Sequence, residues 1–132
     1  MDNGSETNTN TIINITQEYL DSITKRDWVA YRCLVDDKNI SIDPDNLNSI
    51  VEGTDLQKFL FDLPTNKDLK IKDNIVQPNI RIINDISIIC FKKLRQIYNI
   101  EDKSVISESN TGTIIWKKIP DVGWKVIHSH WS

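Results

Sequence analysis

From Thr11 onward apolar side chains recur at three- and four-residue spacing, with Ile12, Ile15, Tyr19 and Ile23 on one face and Leu20 beside them. That period predicts an α-helix with one buried stripe. Lys25 and Arg26 fall in its last turn, where cations suit the negative end of the helix dipole. Asp27 has the character of an N-cap, and Trp28, Tyr31, Leu34 and Val35 continue the helical spacing, so a short second helix ends near Asp36. Ile40 and Ile42 then alternate with Ser41 and Asp43 until Pro44, the pattern of a short edge strand, and Ser49 to Gly53 offers it a partner. Thr54 and Gln57 have capping-box spacing before a helix of one to two turns that Pro64 ends. Phe59 and Phe61 are expected to face the sheet.

Beyond Pro64 the period shortens to two. Leu69, Ile71, Asp73 and Ile75 alternate with Lys70, Lys72 and Asn74, and Ile80 to Ile83 resumes after Pro78, which predicts a long strand bulged at the proline. Asn84-Asp85 signals a turn, Ile86 to Tyr98 a second strand, Val105 to Lys118 a third and Trp124 to Trp131 the last. Helices come first and an antiparallel meander follows. Such a sheet cannot bury its inner face alone, so the fold class expected is α+β: a cone-shaped curved antiparallel sheet packed on the long N-terminal helix.

Length and charge narrow this further. At 132 residues the chain fits one domain, residues 11–132, preceded by a polar segment, residues 1–10, that carries no large apolar side chain beyond Met1 and is expected to be a flexible tail. The net charge of -3 is spread along the chain without a basic stripe, which argues against nucleic acid as a partner. No apolar stretch approaches the length of a membrane span and no signal peptide opens the chain. Cys33 and Cys90 lie among apolar neighbours without metal spacing and are expected to be buried, reduced thiols of a cytoplasmic protein.

Six segments in order, D-W-V-A-Y-R, I-D-P-D-N-L, V-E-G-T-D-L-Q-K-F-L-F, I-I-C-F-K-K-L-R-Q, I-I-W-K-K and G-W-K-V-I-H-S-H, resemble the association (hub) domain of calcium/calmodulin-dependent protein kinase II. The resemblance runs from Ile12 to Ser132. It places the chain among the nuclear-transport-factor-2-like and SnoaL-like cones, a fold that hosts enzymes as well as binding modules. What it implies is a non-catalytic domain that assembles with itself, its dimers closing into rings of about 12–14 subunits. Kinase-bearing hub subunits would be further partners, and no cofactor is implied.

Candidate site residues follow from the same comparison and from spacing. Lys93 and Arg95 lie two apart on one strand and so share a face. The resemblance matches Lys93 to an arginine that binds small carboxylates inside the cone, and Tyr31 to its pocket tyrosine. The family's other pocket arginines are replaced by Ile114 and Trp131, and its pocket histidine by Gln57. The plain alternative is that Lys93 and Arg95 form ion pairs with a carboxylate of the same chain. His128 and His130 share a strand face and have the spacing of two metal ligands without an evident third, so packed histidines are the plainer reading. Asp43 and Tyr31 could serve as acid and hydroxyl in a catalytic cone, against a turn residue and a packed ring. Phe59, Phe61 and Trp131 are candidates for subunit contacts, because aromatics are enriched there.

Overall fold

The computed structural model describes residues 3–43 and 49–132, and the side chains of residues 8–42, 50–55 and 57–132. Three helices, α1 (Asn3–Thr24), α2 (Trp28–Leu34) and α3 (Asp55–Phe61), accompany six strands: β1 (Val35–Asp43), β2 (Ser49–Glu52), β3 (Leu69–Ile83), β4 (Ile86–Asn99), β5 (Val105–Ile119) and β6 (Gly123–Trp131). The strands form one sheet in the order β2-β1-β6-β5-β4-β3. Together they make the α+β cone that the periodicities predict.

The stripe on α1 is the expected one. Ile12, Tyr19 and Leu20 are buried, with Thr16 between them. Thr16 also links helix to sheet: its hydroxyl donates to the Ile12 carbonyl at 2.6 Å and accepts from Trp116 Nε1 at 3.1 Å. The indole N–H is thereby satisfied in a fully buried position. The helix begins at Asn3, inside the segment expected to be a tail. Extending a formed helix costs far less than nucleating one, so polar residues can prolong α1. At the other end the helix stops at Thr24, before Lys25 and Arg26, and Arg26 adopts φ 54° as the chain turns toward α2. Asp27 caps α2 as expected, accepting from the Ala30 amide at 3.2 Å.

Several sequence expectations change. The strand from Val35 to Asp43 is not an edge: β1 lies between β2 and β6, running antiparallel to the first and parallel to the second. The edges are β2 and β3. Val35, read as the end of the second helix, opens this strand. Thr54 precedes α3 but makes no side-chain cap bond, because its backbone is in the helical region rather than the extended one a cap requires. Phe59 faces outward at 61% exposed, whereas Phe61 is buried. In so short a helix only one stripe meets the sheet, and residues two apart fall on opposite sides.

Both cysteines are free and exposed. Cys90 sits between the buried Ile89 and Phe91 on β4, so alternation turns it to the other face. Cys33 lies two positions beyond the buried Tyr31 of α2 and points away from the core. The bulge in β3 falls at the expected place, with the register shifting between Val76 and Asn79 around Pro78. Pro44 lies outside the described residues.

Register fixes two faces. Ile80, Ile89, Ile114, Ser129, Ser41 and Val51 align across the sheet on the inner face toward α1. Ile88, Ile115, His128, Ile40 and Glu52 align on the outer one, beside the row Cys90, Thr113, His130, Ile42 and Ile50.

Candidate functional site

The inner face of the sheet, the C-terminal half of α1, α3 and the loop after it enclose an open cavity of about 1150 Å³. An aromatic cluster forms part of its wall. Tyr31 stacks on Trp28 at 5.4 Å and on Tyr19 at 5.9 Å between ring centroids, and Phe61 closes against Tyr31 at 4.8 Å. Each such contact adds about 0.5–1.5 kcal/mol beyond the area it buries. Burial, reinforced by Tyr19 and partly offset by Arg32, pushes the Tyr31 phenol well above its ordinary range. The hydroxyl is therefore a neutral donor, not a base.

On the opposite wall β4 brings Lys93 and Arg95 to the cavity, as their spacing predicts. Both meet Asp73, which lies opposite Arg95 in the β3–β4 register and is 1% exposed. Arg95 grips it with two parallel bonds, Nε to Oδ1 at 2.8 Å and Nη2 to Oδ2 at 2.9 Å. Lys93 Nζ stands 4.0 Å from Oδ2 and 4.3 Å from the centroid of the Trp131 ring. A bidentate Arg–carboxylate pair is among the strongest polar contacts a protein makes, and a buried carboxylate without one is costly.

Tyr31, Lys93 and Arg95 thus line one cavity. Trp131 joins them as part of its wall, in edge contact with Phe91 at 5.8 Å, and Phe61 packs in the aromatic cluster, so both of these candidate contact residues are buried within the chain while Phe59 is exposed. Gln57 also lines the cavity rather than capping a helix. Asp73 is the residue that sequence reasoning missed. Its signal was present, since it occupies the same phase of β3 as Leu69, Ile71 and Ile75.

The other candidates separate. His128 and His130 project from the outer face, away from the cavity, and among the described residues no group of three or more His, Cys, Asp or Glu could hold a metal ion. The side chain of Asp43 lies outside the described residues, so the pairing with Tyr31 is not displayed. Ser41 and Ser129 meet at the cavity wall, their hydroxyls 3.0 Å apart, with the amide of Asn39 donating to Ser41 at 3.0 Å. Among the described helices none is long and apolar enough to cross a membrane.

With this geometry in hand, known proteins give a consistent comparison. A family model described as the calcium/calmodulin dependent protein kinase II association domain matches residues 8–132. The calcium/calmodulin-dependent protein kinase type II of Caenorhabditis elegans is 27% identical over 122 residues, covering 92% of this chain and 16% of that protein. The chain spans less than a quarter of the length of the curated relatives it matches. Among solved structures, the association domain of the C. elegans kinase has a TM-score of 0.85 at 24% identity and covers 100% of this chain and 99% of its own. The kinase hub of S. rosetta has a TM-score of 0.79 at 26% identity, covering 92% of each chain. The cone itself is shared with nuclear-transport-factor-2-like proteins such as one from Salmonella enterica. An association domain is a non-catalytic region of the kinase, and its role is self-assembly. With residues 8–132 matched, this chain belongs to the calcium/calmodulin-dependent protein kinase II association domain family.

Proposed function

We propose that this domain is a self-assembly hub that dimerises through the outer face of its sheet and closes, dimer by dimer, into a ring. The observation that carries the reading is the cluster of isoleucines on that face. Ile40 and Ile50 are 40% and 72% exposed there, in register with Ile42, Ile88 and Ile115 on the neighbouring strands. Exposed isoleucines gathered on one sheet face, here interleaved with Glu52, Cys90, Thr113, His128 and His130, mark a contact surface, and a second copy of the same face covers them most simply.

A ring of dimers needs a second, heterologous contact besides the isologous one. The far end of the β4–β5 hairpin has the character for it: Tyr98, Ile100, Val105 and Ile106 are all exposed, beyond the part of the sheet that α1 covers. Rings of about 12–14 subunits are the expected size, with small changes at the hairpin contact altering the number. Kinase domains carried by the same gene product or by co-assembling hub subunits would then be held together in the cytoplasm. Native mass spectrometry at micromolar concentration tests the proposal. A ladder of even-numbered assemblies is the expected result, and a strictly monomeric species would sink it.

A second reading, a small-carboxylate-binding or catalytic cone using Tyr31, Lys93 and Arg95, has the cationic cavity in its favour and the Asp73 carboxylate against it. Calorimetry with small carboxylates distinguishes it from a hub without a ligand.

A further inference from the structure

Charge around the cavity is strongly one-sided. Lys25, Arg26, Lys67, Lys70, Lys93 and Arg95 line it, and Asp73 is its one acidic residue among the described residues. A cleft with this balance concentrates anions, and its low-dielectric walls strengthen the effect. Yet the chain places a carboxylate of its own on the guanidinium fork of Arg95. Asp73 is fixed there from two sides: β3–β4 pairing sets it opposite Arg95, and Gln17 Nε2 of α1 donates to its backbone carbonyl at 2.7 Å.

We propose that Asp73 is a built-in counter-ion that sets the ligand specificity of the cone. It occupies the fork of Arg95 and turns away carboxylate ligands that a cavity so rich in cations would otherwise take. Tethering gives the internal carboxylate a high effective concentration at the fork, against which a dissolved competitor fares poorly. The competitor also meets like-charge repulsion from Asp73 in a partly dry site, where charges are weakly screened. Replacing Asp73 by asparagine removes the negative charge while keeping the side-chain volume and one acceptor oxygen. The variant cavity becomes a receptor for a monocarboxylate with an apolar tail: the charge sits on Arg95 and Lys93, and the tail rests against Tyr31, Phe61 and Trp131.

Sodium phenylacetate is a suitable probe, titrated by calorimetry into the wild-type domain and into Asp73→Asn at matched ionic strength. The variant is expected to bind at least about tenfold more tightly than the wild type. Adding Arg95→Met should abolish the gain. Equal affinities, or no binding by a folded Asp73→Asn, would overturn the proposal. A measurement on the wild type alone keeps it testable if the variant fails to fold. The Arg95 Nε–H resonance should stay unmoved by phenylacetate, and a saturable shift of that signal refutes the assignment.

Discussion

At Gly112 an added methyl group would stand 2.3 Å from Trp131 Cζ3 and 2.7 Å from Cε3, closer than real carbon atoms approach. The indole of Trp131 lies over the missing side chain, directly across the β5–β6 pair, and from there reaches Lys93. Gly112→Ala must therefore push the ring out of place. A loss of about 1–3 kcal/mol is expected from such overpacking, read as a lower midpoint in urea unfolding. An unchanged midpoint would show that the ring has room to move. The sequence carried this only in part: Trp131 was visible as a departure from the family pattern, but its contact with Gly112 depends on a cross-strand register that composition cannot give. Asp73 is legible by phase, but a buried acid is rare without a partner, and phase alone does not name one. Its partner Arg95 is 22 residues away in the chain and meets it only through the β3–β4 register.

Helix ends offer a matched pair of tests at the next scale. Asp27 has an extended backbone and accepts from Ala30, so Asp27→Ala should cost about 1 kcal/mol in chemical denaturation. Thr54 stands at the same kind of position without such a bond, so Thr54→Ala should leave stability within about 0.5 kcal/mol. An equal loss from both would contradict the assignment. Long periodic elements were legible, β3 to β6 and the stripe of α1 above all, because many residues vote for one period. Short ones were not. In the seven residues of α3 the sequence alone could not fix which phenylalanine faces inward, and in β1 nothing local distinguishes an edge from an interior strand.

For the assembled molecule, two surfaces should fail separately. Ile50 is exposed on β2, so Ile50→Asp costs the isolated domain little, yet it buries a charge if the outer face is a dimer contact. Light scattering should then show loss of even the dimer. Val105→Asp at the hairpin end should instead stop assembly at the dimer, leaving the sheet contact intact. Reduction of both variants to the same species would merge the two contacts into one. None of this was legible as geometry in the sequence, because the strand order and the shared outer face arise from pairings between residues far apart. The family resemblance supplied self-assembly, and the structure supplies the faces that could carry it.

The parallel pairing of β1 with β6 has a consequence for how such a chain comes into being. The first strand of the domain has its inner neighbour at residues 123–131, so β1 and β2 can form only a small antiparallel pair until those residues have been made. Closure then requires contacts as distant in sequence as Val35 with Val126, the slow kind in folding kinetics. A nascent chain halted before Val126 would hold α1 against the β3–β5 meander while β1 and β2 still lack their neighbour in the sheet. The domain is thus committed late, by its last strand, and everything assembled from it waits on that strand.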